Sequence, residues 1–118
     1  DKAVTIHPYF KVRDEKLLAF KRLAADLIEV TRGEMGCLFY SFSYADGEAY
    51  CREGYKDAAS LVSHFDNVND LLQKLNSISE LVRLEVHGPH DEIVKLREWP
   101  SIKQLNPKYY FVEGGFRN

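Results

Sequence analysis

This chain of 118 residues has no long apolar run, no block of like charge and almost no sulfur. Without an apolar stretch long enough to cross a hydrocarbon core, no membrane partner is expected, and the charged start Asp1-Lys2 leads into a strand pattern rather than a signal-peptide core. The 16 basic and 18 acidic residues are interspersed and leave a net charge of -2, so no basic track is offered to phosphates and nucleic acid is not an expected partner. The expected address is cytoplasmic. Asp1 stands where an initiator Met would, which leaves room for an upstream segment. A Gly-rich phosphate loop is also lacking: Gly114-Gly115 lies at the C-terminus with no helix after it. What is present is 45% hydrophobic and 29% charged residues, the composition of one globular domain with its own core.

The strongest local signal is Asp46-Gly47 between two aromatic-rich alternating runs. Both residues tolerate positive φ, which a two-residue hairpin turn requires. With that pair central, Ala45 faces Glu48, Phe42 faces Cys51, Tyr40 faces Glu53 and Leu38 faces Tyr55. A phenol and a carboxylate therefore meet on one sheet face. In this register Cys37 falls opposite Lys56 and Cys51 opposite Phe42, too far apart to bridge, so two reduced thiols packing as small hydrophobes are expected.

Alternation from Ala3 to Val12 predicts a first strand. Asp14 as N-cap, Leu17, Phe20, Ala24, Leu27 and Thr31 at helical spacing, and Gly33 as a left-handed stop predict a helix over about 15–32. The hairpin spans about Cys37 to Tyr55. Asp57 caps a second helix, which Asp66-Asn67-Val68-Asn69 is expected to bend into two pieces, and Val82, Leu84 and Val86 mark a fourth strand ending at Gly88-Pro89. The order β-α-β-β-α-β is ferredoxin-like, an α+β class with an antiparallel sheet. A core of about 3–88 is followed by an extension, about 89–118, with a short helix near Asp91 to Glu98 and an extra strand near Tyr109 to Glu113.

Gly36-Cys37-x-x-Tyr40 on the second strand, Glu53-x-Tyr55 on the third, and His64 nine residues later on the helix resemble the antibiotic biosynthesis monooxygenase family of dimeric α+β barrels. The resemblance covers the core and leaves the tail from His90 outside it. It implies a homodimer paired through the sheet face away from the helices. It also implies oxidation of a small aromatic, phenol or quinol type, by dioxygen without flavin, metal or haem, although some relatives degrade haem and others isomerise lactones. No cofactor is therefore expected. The Asn-Trp-Tyr trio of some members has no counterpart, and Trp99 lies in the tail. Independently, two short helices cover one face of a sheet, whereas aromatics occupy both: Phe39 and Tyr50 on one, Tyr40, Phe42, Tyr44 and Tyr55 on the other. A second copy is expected to cover the bare face, and the last strand to pair with an open edge of its own or the neighbouring sheet.

The candidate catalytic residues are His64, Tyr40 and Glu53. His64 is either the base or a structural histidine bonded to a strand group; Tyr40 and Glu53 are either an acid/base pair or a cross-strand hydrogen bond. His7, Tyr9, Arg83 and His87, with Tyr50 and Arg52 at the same parity, form either a polar cleft wall or solvent-facing decoration, and Tyr55 completes the substrate-binding set. His87 and His90 lack a third ligand at metal spacing, so no metal is expected. The reading is a cofactor-independent monooxygenase holding a small apolar or aromatic molecule between sheet and helices. Its alternative is a homodimer that binds or senses such a molecule without turning it over.

Overall fold

The computed structural model describes residues 1–118. Strands β1 (Val4–Lys11), β2 (Cys37–Ala45), β3 (Glu48–Tyr55), β4 (Glu80–Gly88) and β5 (Lys108–Phe111) form one sheet in the order β2-β3-β1-β4-β5. Helices α1 (Leu17–Arg32) and α2 (Ala58–Ser77) lie on one face; α3 (His90–Arg97) packs on α2, β4 and β5, and α4 (Pro100–Lys103) follows it. The first four strands are antiparallel in the ferredoxin-like order. The sheet as a whole is mixed, because β5 runs parallel to β4 of its own chain, with Glu85 opposite Lys108 and Gly88 opposite Phe111. No helix is long and apolar enough to cross a membrane.

Period-two alternation turns Val4, Ile6, Pro8 and Phe10 of β1 towards the helices, which answer with Phe20, Ala24, Leu27 and Thr31 from α1 and Ala58, Leu61, His64, Val68 and Leu75 from α2. Two apolar clusters result. One joins Val4, Ile6, Leu61, Val86 and the tail residues Ile93, Leu96 and Ile102; the other joins Phe10, Phe20, Leu27, Val68 and Leu75.

The hairpin forms as expected at its turn, with Asp46 at φ 48° and Gly47 at φ 78°, and in its register from Ala45–Glu48 to Tyr40–Glu53. Beyond Phe39 a bulge leaves Leu38 unpaired, so Tyr55 pairs with Cys37 rather than with Leu38, and Cys37 no longer faces Lys56. Both cysteines are free.

Three helix expectations are corrected. Asp14 is not a cap but opens a short 3-10 turn, Asp14–Lys16, ahead of α1. Gly33 is right-handed at φ -79°, since the chain leaves α1 by a turn in which Glu34 N donates to Thr31 O and no reversal of hand is needed. Finally, α2 is one rod: Val68 is buried in the core and the Asn67 side chain bonds outward to Glu34, so neither interrupts the helix. The α2 N-terminus is held twice. Asp57 Oδ1 accepts from Ser60 N at 2.8 Å, and Glu92 of α3 accepts from Ala58 N at 3.0 Å and from Lys95 Nζ at 2.9 Å.

Candidate active site

Alternation along β3 points Cys51, Glu53 and Tyr55 at the helices, and Glu53 ends only 6% exposed. Its Oε1 accepts a hydrogen bond from Tyr55 Oη at 2.7 Å and lies 3.6 Å from His64 Nε2. His64, on the buried stripe of α2, faces the Glu34 carboxylate through Nδ1 at 2.9 and 3.0 Å; Asn67 Nδ2 donates to the same carboxylate at 2.9 Å. A carboxylate only accepts, so the pairing places a proton on Nδ1 and turns the Nε2 lone pair towards Glu53.

Burial raises the Glu53 carboxyl to about 7; the Tyr55 and Cys51 side chains restrain the rise and the Glu34 charge adds to it. Burial also lowers the His64 imidazole, partly offset by its bond to Glu34 and that residue's charge. A carboxylic acid and a neutral imidazole thus coexist near neutral pH, one able to give a proton and the other to take one. Burial likewise pushes up the Tyr40 and Tyr55 phenols and the Cys51 thiol, keeping all three protonated.

Tyr40 stands opposite Glu53 in the ladder, yet the expected cross-strand bond between them is not made. The donor to Glu53 is Tyr55, two residues along the same strand face, while the Tyr40 ring packs 5.4 Å from His64 and 5.7 Å from Phe42, centroid to centroid. Glu34 escapes sequence reasoning altogether: it is a polar turn residue 30 positions before its partner, and no spacing rule links the two.

His7, Tyr9, Tyr50, Arg52, Arg83 and His87 lie on the other face of the sheet and do not join Glu53 and His64. There His7 Nδ1 meets Tyr50 Oη at 2.7 Å, His87 Nε2 meets a Glu85 carboxylate oxygen at 2.9 Å, and Arg83 pairs with the same carboxylate. The His7 and His87 rings are 4.6 Å apart, Tyr9 stacks on Tyr50 at 4.7 Å and Tyr110 on His87 at 4.4 Å. The Arg52 guanidinium covers the Phe39 ring at 4.0 Å; that ring lies across Gly54, where any Cβ would collide with it.

Beside Glu53 and His64 is a cavity of about 50 Å³ walled by Ile6, Pro8, Phe10, Phe65, Leu72, Leu81 and Leu84, with Asn76 and Leu105 completing it. Leu105 follows α4, so the C-terminal extension helps to close the site. A volume of this size admits about one or two waters, and a larger guest requires the walls to part. No three His, Cys, Asp or Glu side chains are grouped as a metal ion would need.

No family model matches the chain, and no curated protein does. Among solved structures, an antibiotic biosynthesis monooxygenase superposes with a TM-score of 0.62 at 22% identity, over 70% of this chain and 92% of that one. Rv0793 from Mycobacterium tuberculosis superposes with a TM-score of 0.66 at 24% identity, over 77% of this chain and 98% of that one. The fold is therefore that of the ferredoxin-like antibiotic biosynthesis monooxygenases. MupZ from Pseudomonas fluorescens superposes with a TM-score of 0.94 at 36% identity, over 100% of this chain and 96% of that one, C-terminal extension included. The chain belongs to the same family as MupZ.

Proposed function

We propose that this chain is an acid–base enzyme acting on a small, mostly apolar molecule between sheet and helices, with His64 Nε2 as base and the Glu53 carboxyl as acid. The observation that carries this reading is the buried Glu53–His64 pair, 3.6 Å apart and backed by Glu34, on the wall of an apolar cavity. The likeness to a structure named an antibiotic biosynthesis monooxygenase supports the oxygenase form of the reaction, without a cofactor. His64 takes the proton of a phenol or quinol, and the electron-rich anion adds dioxygen at carbon. The hydroperoxide so formed loses water, with Glu53 supplying a proton, so one oxygen atom stays in the product and the substrate is the reductant.

A redox-neutral form, in which one group removes a proton and the other returns it elsewhere, is favoured by the presence of donor and acceptor side by side. The two forms separate in one experiment. Chelator-treated protein is offered a panel of hydroquinones, naphthols and unsaturated lactones in air and under argon, following oxygen uptake and product mass. Oxygen-dependent turnover supports oxygenation; turnover under argon supports isomerisation. Glu53→Gln and His64→Ala are each expected to lower kcat/KM by about 100-fold or more. Turnover unchanged in both variants rules out this site, and saturable binding with no turnover leaves a binding or sensing protein.

A further inference from the structure

We infer that Glu34 is the positioning residue of the Glu53–His64 site, and that Gly36 holds it there by laying bare backbone against Ser60 of α2. Glu34 does not line the cavity beside Glu53, so it acts through His64, by deciding which ring nitrogen is left free. That this serves turnover rests on the acid–base reading, whereas the hold on the imidazole does not.

Glu34 sits in the turn from Gly33 to Gly36 that joins α1 to β2. Met35 beside it is 97% exposed, so this turn has no apolar anchor of its own. It is tied down by backbone instead: Glu34 N donates to Thr31 O at 2.9 Å, and Lys56 N, ahead of α2, donates to Gly36 O at 2.9 Å. Gly36 then lies so close to α2 that a Cβ there would stand 2.5 Å from Ser60 Cβ and nearer still to its Oγ. Its φ is not positive, so glycine is needed for space and not for backbone hand. Ser60 is itself fixed, because Asp57 Oδ1 accepts from its N at 2.8 Å. His64 follows Ser60 by one helical turn on the same side of α2, so the approach of Gly36 to Ser60 sets the approach of Glu34 to His64.

Both Glu34 oxygens meet His64 Nδ1, at 2.9 and 3.0 Å, and Asn67 Nδ2 fixes one of them at 2.9 Å. The imidazole is 2% exposed and the Glu34 side chain 12%, so water competes little for the contact. A histidine without partners carries its proton mainly on Nε2; the hydrogen bond that one nitrogen makes decides otherwise. Removing the carboxylate therefore moves the proton to Nε2, where Glu53 Oε1 stands 3.6 Å away, and leaves no lone pair on that side of the ring.

Nitrogen-15 spectra of the full chain at neutral pH distinguish Nδ1–H from Nε2–H, the His64 ring being recognised by the signals lost in His64→Ala. Wild type is expected as Nδ1–H and Glu34→Ala as Nε2–H. Gly36→Ala should shift the ring towards Nε2–H as well, by pushing the turn off α2, and adding Ser60→Gly should restore Nδ1–H by clearing the collision. An Nδ1–H ring in Glu34→Ala overturns the hold of Glu34. An Nδ1–H ring in Gly36→Ala, or no restoration in the double variant, overturns the part given to Gly36. Should Gly36→Ala alone fail to fold, the double variant decides: Nδ1–H supports the contact and Nε2–H overturns it. For any substrate that wild type turns over, Glu34→Ala should lower kcat about 10- to 100-fold with KM little changed. A ring that moves its proton while kcat stays unchanged overturns the catalytic role alone, and with it His64 as the base.

Discussion

Glu53 shows how far a single residue can be displaced by its surroundings. Its carboxyl is raised by burial to about 7 against 4.5 for the free group, so the folded state holds a proton that the unfolded chain releases. Stability from this group is complete below 4.5 and is lost as pH rises through 7, by about 3 kcal/mol in all. The lowered imidazole of His64 acts in the opposite sense, with stability lost as pH falls below 6.5. Glu53→Gln removes the first effect and keeps the second. Urea midpoints measured from pH 4 to 8 should therefore show wild type losing ground to the variant steadily between 4.5 and 7; parallel curves would contradict a buried, protonated Glu53. The candidate status of Glu53 and His64 was legible in the pattern Glu53-x-Tyr55 and the helical position of His64. Their pairing was not, because it depends on where α2 crosses β3, and the donor to Glu53 proved to be Tyr55 rather than Tyr40.

At the scale of elements, α2 carries both His64, the proposed base, and the clasp between core and extension. Its first turn is capped by Asp57 from the adjacent loop and by Glu92 from α3. Asp57→Ala is expected to cost about 1 kcal/mol, the usual worth of a cap. Glu92→Ala should cost about 1 to 3 kcal/mol, because it strips the partner from a buried N–H as well as freeing the extension. Urea unfolding of the two variants checks both values, and a Glu92→Ala chain as stable as wild type would mean that the extension does not brace α2. The Asp57 cap and the Asp46-Gly47 turn were readable because each depends on a few adjacent residues. The unbroken course of α2 was not: Asp66, Asn67 and Asn69 look like breakers locally, and only the burial of Val68 and the reach of Asn67 to Glu34 keep the helix straight.

For the whole molecule, the unanswered face is that of His7, Tyr9, Tyr50 and His87. Its aromatics stack on one another but no helix covers them. We expect a second copy of the chain to cover this face, since apolar and aromatic surface of that extent is costly to leave in water. Sedimentation velocity should then show a dimer, and Tyr50→Asp, placed among the stacked rings, should shift it to monomer. A monomeric wild type at micromolar concentration would contradict the pairing.

Alternation, turn chemistry and helix periodicity, all properties of neighbouring residues, determined by themselves the β-α-β-β-α-β order, the hairpin register near its turn, and which residues share a strand face. Tertiary structure alone decided the rest: the bulge at Leu38, the docking of β5 on β4, the meeting of Glu34 with His64, and which face of the sheet the helices cover. Local sequence specifies which way a side chain points along its own element. What it meets depends on the packing of elements distant in the chain, and the same burial that brings Glu53 and His64 together shifts their proton affinities.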